Sequence, residues 1–154
     1  TDFILRSRRA NMEGGELTMA IAPHAQPNAL IGIVSIHPDA AASGPHLGYW
    51  LGAPYWGEGL ATEAARAMVD AYFAYAGGEE LTSSARVVNP ASRRVLEKCG
   101  FAQTGSGLVP FPARGGALPV DHFTLDREGW ACSKAWPSSG FMHRPYREAG
   151  AYVC

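Results

Sequence analysis

The chain has 154 residues, enough for one domain with its own core, and two full domains would be unusual at this length. Its formal net charge is -1, and its charged residues, 18% of the total, are spread along the chain and form no long runs. This excludes nucleic acid as the main partner, because neutralising phosphates requires a clustered excess of Lys and Arg.

The three cysteines, Cys99, Cys132 and Cys154, include no CxxC pair, and no histidine lies at a spacing suited to zinc. Neither a disulfide framework nor a metal site is therefore predicted. No apolar run approaches the roughly 20 residues of a membrane span, and the N-terminus lacks the apolar core of a signal peptide. We therefore expect a cytoplasmic protein with no membrane partner.

The first elements in chain order are strands. Residues 16–23 and 29–38 are short apolar stretches separated by a proline-containing loop, which predicts two antiparallel strands joined by a hairpin. Residues 46–52 form a third strand candidate whose apolar run has no polar alternation, so we expect both of its faces to be covered.

The apolar period then changes to that of a helix over residues 59–75, and Gly77 and Gly78 are expected to end it. Residues 81–88 predict a strand. A short helix follows, with Asn89 as N-cap, Pro90 at the first helical position and Gly100 just past its end.

A Gly/Pro-rich stretch, residues 105–119, predicts irregular structure before a last strand at 120–126. The order of strands and helices indicates a mixed α/β fold. Residues 131–154 show no period of either kind, so we expect a domain over residues 1–130 followed by a C-terminal tail.

The stretch GEGLAT, residues 57–62, marks the turn from strand to helix. It nearly matches the dinucleotide-binding fingerprint, but four residues separate it from its strand and no acidic residue follows at the required position. A Walker loop is excluded because no Gly-Lys-Ser/Thr occurs. Two alternatives remain: an anion site at a helix N-terminus, and a structural turn that needs glycine.

The segment GYWLGAPYWGEGLATEA, followed by VVNPASRRVLEKCGF, resembles the GCN5-related N-acetyltransferase (GNAT) superfamily. It is most similar to the branch of ribosomal-protein N-terminal acetyltransferases and their small-molecule relatives. The superfamily signature Q/R-x-x-G-x-G/A is matched by residues 56–61, with Trp56 replacing the usual Gln or Arg, and the closing LDREGW is similar to the end of that branch. The implied fold is α/β (α+β), with a mostly antiparallel central sheet flanked by helices.

The resemblance implies acetyl-CoA as donor, with no metal, and a primary amine of a protein N-terminus or small molecule as acceptor, with direct transfer in a ternary complex. It places the pyrophosphate on loop amides, pantetheine along the splayed third strand, and Arg93, Arg94 or Lys98 near the nucleotide. The implied cofactor-binding residues are Trp50, Leu51, Gly52, Trp56, Gly57, Glu58, Gly59, Leu60, Ala61, Thr62, Asn89, Ser92, Arg94 and Lys98.

The catalytic groups remain open. Many relatives protonate the leaving thiolate with a tyrosine at a position that Leu96 occupies here, so Ser92 is the candidate acid, and a capping hydrogen bond is its alternative role. His46 is the candidate base, with His37 second, although either is also typical of a strand end, and water is a further alternative. Cys99 is interpreted as a buried apolar residue.

The N-terminus departs from the family pattern. Residues 3–9, FILRSRR, are similar to the family's first strand, and only residues 10–15 separate them from the next strand. The N-terminal helices that line the acceptor groove are thus expected to be shortened or missing. The apolar surface of the sheet so exposed must be covered, either by the tail of residues 131–154 or by the same surface of a second subunit, and we expect a homodimer with the tail contributing to the interface or the groove. Two alternatives to an enzyme remain: a catalytically silent acyl-CoA-binding or regulatory module, and a structural domain without a nucleotide ligand.

Overall fold

The computed structural model describes residues 2–39, 42–111 and 115–135. One sheet and the helices packed on it make up this part of the chain. In chain order the elements are α1 (Asp2–Glu13), β1 (Leu17–Ile21), β2 (Gly32–His37), β3 (His46–Leu51), a 3-10 turn (Ala53–Tyr55), α2 (Leu60–Tyr75), β4 (Glu80–Arg86), α3 (Pro90–Lys98), β5 (Ala102–Phe111), β6 (Gly116–Asp126) and α4 (Arg127–Ala135). The predicted mixed α/β class is confirmed.

The six strands form a single sheet in the order β1-β2-β3-β4-β6-β5. All neighbours are antiparallel except β3 and β4, which run parallel and pair only between His46 and Thr82. Beyond that pair the two strands diverge. The sheet is therefore open in its middle, with β1–β3 on one side of the gap and β4, β6 and β5 on the other.

The core lies between α2 and α3 and one face of the sheet. Leu47, Leu81 and Phe123 point from three neighbouring strands into this layer, where Phe73 of α2 and Leu96 of α3 meet them, each at most 1% exposed. Arg66 of α2 donates two hydrogen bonds to Lys98 O at the end of α3 (2.9 and 3.2 Å), which ties the two helices together. This packing holds both helix N-termini beside the gap.

The N-terminal segment is helical, so the predicted strand at residues 3–9 is wrong. Phe3, Ile4 and Leu5 form an apolar run that resembles a strand, but Asp2 in the first turn and an Arg9–Glu13 ion pair one turn apart (2.8 Å) favour a helix. One helix therefore precedes the sheet, where a strand and a short connection were predicted.

The C-terminal half differs from the sequence prediction in two places. The Gly/Pro-rich stretch forms most of a hairpin between β5 and β6, because Gly and Pro are tolerated on an edge strand. Helix α4 crosses the predicted boundary at residue 130 and packs on α2, where Trp130 Nε1 donates to Asp70 Oδ1 (2.9 Å) and the indole stacks on Phe73. The predicted tail beyond residue 135 lies outside the described residues.

Of the cysteines in the described residues, Cys99 is free and buried in the core, and Cys132 lies in α4. Within residues 2–39, 42–111 and 115–135, none of the helices has both the length and the apolar character needed to cross a membrane.

Candidate functional site

A groove of about 460 Å³ runs along the gap between β3 and β4, on the side of the sheet that carries α2 and α3. Three walls enclose it: the end of β3, the turn into α2, and the exposed side of α3. The groove residues are Tyr49, Trp50, Leu51, Tyr55, Trp56, Gly57, Gly59, Leu60, Ala61, Thr62, Asn89, Ala91, Ser92, Arg94, Val95 and Lys98.

The backbone of β3 presents an unpaired edge to this groove. In an antiparallel pair of strands, every second residue forms backbone hydrogen bonds to the neighbouring strand. Gly52 N donates to Ile31 O (2.8 Å), and this bond identifies which residues of β3 bond to β2. Trp50 and Gly52 thus bond toward β2, whereas Leu47, Tyr49 and Leu51 face β4. Leu47 O is satisfied by Ser83 Oγ (2.8 Å), but the diverged β4 offers the amide of Tyr49 no partner.

The glycine turn at the start of α2 forms the second wall. Gly57 and Gly59 have φ of 86° and 83°, values that L side chains rarely adopt, and an added Cβ at either position would meet no atom within 4 Å. The first helical bond runs from Glu63 N to Gly59 O (3.0 Å), so the amides of residues 60–62 have no partner within the helix. The turn therefore presents free N–H groups and open space.

Trp56 reaches back from this turn to the end of β3. Its indole N–H donates to Leu51 O at 2.7 Å, while the ring itself is 68% exposed. This bond closes the turn and satisfies the last carbonyl of the open edge. Tyr49 N–H, Tyr49 C=O and Leu51 N–H are then the backbone groups of this edge that face the gap.

The N-terminus of α3 forms the third wall. Asn89 Oδ1 accepts from Ser92 N (3.2 Å), so the predicted N-cap is confirmed. The Ser92 side chain makes no such capping bond: its Oγ lies 3.0 Å from Tyr49 Oη, which also donates to Ser92 O (2.9 Å). Burial raises the pKa of Tyr49 to about 12, so this phenol stays protonated at neutral pH.

Cationic side chains lie along the far end of the α3 wall. Arg94 and Lys98 both line the groove. Arg93 does not, because its guanidinium contacts Glu97 (3.0 Å), Gln103 (2.7 Å) and the buried Asp121 (3.4 Å) on the other side of the helix. Arg93, one of the three cationic residues considered from the sequence, therefore links α3 to β5 and β6.

The structure brings together most of the sequence-predicted cofactor residues, but not all. Gly52 and Glu58 are absent from the groove lining, and the Gly52 amide is already bonded to Ile31. The two predicted catalytic residues lie on different faces of the sheet: Ser92 faces the groove, while His46 points away from α2 and α3, beside His37 on β2 (ring centroids 5.5 Å apart).

His46 lies where β3 and β4 begin to diverge. Its Nδ1 is 3.7 Å from Asp39 Oδ2. Burial, together with the neighbouring His37 and His122, lowers the pKa of His46 from its ordinary value of 6.5, and Asp39 only partly opposes this. His46 is therefore neutral at neutral pH, the form in which an imidazole accepts a proton.

Three features of the site were not found from the sequence. The contact of Tyr49 with Ser92 was not predicted, because the bond spans 43 positions and no local pattern signals it. The Trp56–Leu51 bond and His122, which lies beside His46 across β4, were also missed. Alternation along the strands places His122 and His46 on one face, but only once the strand order is known.

Neither a reactive cysteine nor a metal centre is evident in the described residues. Cys99 is buried in the core, and burial raises its pKa to about 11, which agrees with its interpretation as a small apolar residue. In the described parts of the chain, no three His, Cys, Asp or Glu side chains cluster closely enough to hold a metal ion.

The groove fits an extended ligand with an anionic end. An open strand edge pairs with amides, a glycine turn with free N–H groups accepts phosphate oxygens, and Arg94 and Lys98 add positive charge. A pantetheine arm joined to a diphosphate, as in coenzyme A, has these features in this order. The hydroxyl of Ser92 lies between the strand edge and the helix, facing the same space.

A family model described as "Acetyltransferase (GNAT) domain" matches residues 2–102. No curated protein is similar enough in sequence to match. Among solved structures, a probable acetyltransferase is 23% identical over 83% of this chain and 71% of its own, with a TM-score of 0.73.

Two further solved structures carry more specific names. The microcin C7 self-immunity acetyltransferase MccE, in complex with acetyl-CoA and AMP, is 24% identical over 81% of this chain and 68% of its own (TM-score 0.69). A ribosomal-protein-S5-alanine acetyltransferase from Vibrio fischeri is 19% identical over 84% and 71% (TM-score 0.71). At these identities the similarity establishes the shared fold.

Proposed function

Because the chain belongs to the GNAT acetyltransferase family, we propose that it moves an acetyl group from acetyl-CoA to a primary amine by direct transfer in a ternary complex. The observation that carries this proposal is the unpaired edge of β3 beside the glycine turn. A structural turn would need the positive φ of Gly57 and Gly59, but it would not need an open strand edge ending at the same point.

The groove residues divide into three binding roles. The amides after Gly59 hold the diphosphate at the N-terminus of α2, where the helix dipole adds partial positive charge. Tyr49 and Leu51 pair with the pantetheine amides through their backbone, and Arg94 and Lys98 approach the nucleotide. Trp56 supplies apolar surface along the arm.

Ser92 and Tyr49 are the groups proposed for the leaving thiolate. Tyr49 Oη has one proton and two acceptors, Ser92 O at 2.9 Å and Ser92 Oγ at 3.0 Å. When the phenol donates to Ser92 Oγ, the serine proton is free to point into the groove and to meet developing negative charge there. Tyr49 is thus a positioning residue, since its raised pKa makes it a poor acid itself.

The acceptor belongs to the class of primary amines. Solved structures similar to this chain are named for ribosomal-protein alanine and for spermidine, which indicates a protein N-terminus or a small molecule as alternatives. The test measures acetyl-CoA binding by calorimetry, then release of free thiol with a panel of N-terminal peptides and small amines. Binding with turnover supports the proposal. Binding without turnover on any amine would instead indicate a catalytically silent acyl-CoA-binding module.

We also propose that the chain forms a homodimer through the exposed side of α1. Phe3, Ile4, Leu5 and Met12 are each more than half exposed, and an isologous contact would bury both copies at once. Sedimentation of the wild-type chain and of an Ile4→Glu, Leu5→Lys variant tests this. A wild-type chain that sediments as a monomer at high concentration would refute the dimer.

A further inference from the structure

The gap between β3 and β4 is closed at one end by a single side chain. Thr82 N donates to Pro45 O (2.8 Å). Parallel strands repeat such bonds every two residues, so the next bond would join Ser84 N to Leu47 O. The strands diverge before that point, and the hydroxyl of Ser83 donates to Leu47 O instead (2.8 Å). We call this contact between Ser83 and Leu47 the serine bridge.

The serine bridge is buried and lies against the core. Ser83 is 3% exposed, and Leu81, the preceding residue on the same face of β4, is fully buried. Leu47 belongs to the same buried layer. The groove lining includes Tyr49, two residues further along β3, but neither Leu47 nor Ser83. The groove therefore ends between Tyr49 and the serine bridge.

We propose that Ser83 limits the acyl group of the donor to two carbons, so that the chain accepts acetyl-CoA and discriminates against propionyl-CoA and longer acyl-CoA thioesters. This deepens the acetyltransferase function proposed above and rests on it. The groups along β3 lie in the order that such a limit requires. The glycine turn for the diphosphate lies beyond Leu51, and the serine bridge closes the gap at the opposite end, where the thioester arrives.

The length of the open strand edge agrees with a two-carbon acyl group. Tyr49 O is the carbonyl nearest the bridge that still faces the gap, because Leu47 O already accepts from Ser83. Two residues of a strand span about 6.7 Å. From an amide nitrogen paired with Tyr49 O, the arm and an acetyl group extend over five bonds, or about 6 Å in an extended chain. The acetyl methyl thus ends at the serine bridge, and a third acyl carbon would run into it.

The same count agrees with the role proposed for Ser92. The sulfur is the third atom after the amide nitrogen, so it falls on the Tyr49 side of the serine bridge. Ser92 Oγ contacts the Tyr49 side chain there (3.0 Å). The serine of α3 is therefore placed for the leaving sulfur, and the serine of β4 for the end of the acyl group.

A longer acyl group would displace the serine bridge only at a cost. Leu47 is 1% exposed, and the Ser83 hydroxyl satisfies its carbonyl. Moving the hydroxyl aside would leave a buried carbonyl without this donor, and keeping it in place would make it collide with the third acyl carbon. One extra methylene in an apolar pocket is worth about 10–200-fold in discrimination. The serine bridge is therefore sufficient to separate acetyl from propionyl donors.

The first experiment titrates the wild-type chain with CoA, acetyl-CoA, propionyl-CoA and butyryl-CoA by calorimetry, without an acceptor. We expect propionyl-CoA to bind roughly tenfold more weakly than acetyl-CoA, and butyryl-CoA no better than propionyl-CoA. Equal Kd values for the three acyl-CoA molecules would overturn the two-carbon limit and leave the acetyltransferase function intact. If none of the four ligands binds, the function on which the limit rests is wrong.

The second experiment assigns the limit to Ser83 with two variants that act in opposite directions. Ser83→Ala removes the hydroxyl and opens the end of the gap, so we expect the preference for acetyl-CoA over propionyl-CoA to fall about tenfold. Ser83→Cys puts a larger atom in the same place and should keep or increase the preference. Ser84→Ala is the matched control, because it removes a hydroxyl from the next residue of β4, whose side chain points to the other face of the sheet.

Binding of CoA itself separates a changed preference from a damaged fold. Ser83→Ala leaves Leu47 O without its donor, so its thermal midpoint should fall, but CoA, which has no acyl group, should bind it as it binds Ser84→Ala. The variants act in opposite directions, so either one that still binds CoA is sufficient for the test. A ratio of acetyl-CoA to propionyl-CoA affinity that is the same in Ser83→Ala, Ser83→Cys and Ser84→Ala would show that Ser83 does not set the limit.

Discussion

Replacing Gly59 by Ala tests the glycine turn as a phosphate site. The residue has φ of 83°, and an L side chain in this region costs about 1–2 kcal/mol. At about 2–4 °C per kcal/mol for a chain of this size, the thermal midpoint should fall by about 2–8 °C. Gly14→Ala is the matched control, because Gly14 also has a positive φ (72°) and open space around an added Cβ, but lies far from the groove.

The two variants should differ in acetyl-CoA binding. The methyl at Gly59 enters the space in front of the free amides of α2, and any relaxation of φ turns those amides away. We therefore expect at least a tenfold weaker Kd, equivalent to about 1.4 kcal/mol, while Gly14→Ala binds like the wild type. Calorimetric titration measures both. If the two variants bind acetyl-CoA within about twofold of each other, the turn is structural and the phosphate site is refuted.

Three further outcomes are expected. Ser92→Ala and Tyr49→Phe should each lower kcat with little change in acetyl-CoA affinity, and unchanged steady-state kinetics would assign thiolate protonation to water. The pKa of His46 is lower in the folded chain than its ordinary value of 6.5, so the unfolded chain binds this proton first as the pH falls. The free energy of unfolding, measured by urea titration, should therefore decrease below pH 6.5, and it should decrease less in His46→Gln. Trp56→Phe removes the bond to Leu51 O and should raise KM for acetyl-CoA several-fold, whereas an unaltered KM would show that the turn closes without it.

Local patterns were sufficient for the elements that position the groove. Helix α2 has an amphipathic stripe, and α3 has its N-cap, its proline and its terminal glycine in sequence, so both were predicted. Helix α1 was not, because its three apolar residues are adjacent and so resemble a strand. Strand β5 was not either, because the glycines and prolines that argue against a central strand are tolerated at the sheet edge.

The candidate site was only partly predictable for a different reason. The glycine turn and the residues around Ser92 are contiguous motifs, so the sequence alone identifies them. The Tyr49–Ser92 bond joins positions 43 residues apart, and His46 and His122 come together only through the strand order. The occupied amide of Gly52 likewise depends on the ladder register. Such features are properties of the folded sheet and of no single segment.

The divergence of β3 and β4 gives the centre of the sheet the hydrogen-exchange behaviour of an edge. The amides of Tyr49 and Leu51 are flanked by five other strands, yet they face the gap without a strand partner and should exchange in the native state without any unfolding. Those of Trp50 and Gly52, one residue away, bond to β2 and should exchange slowly. The exchange rates of alternate amides in β3 thus report separately on the two sides of the gap. A ligand that pairs with the open edge of β3 would slow the exchange of the Tyr49 and Leu51 amides and so remove the difference in rate.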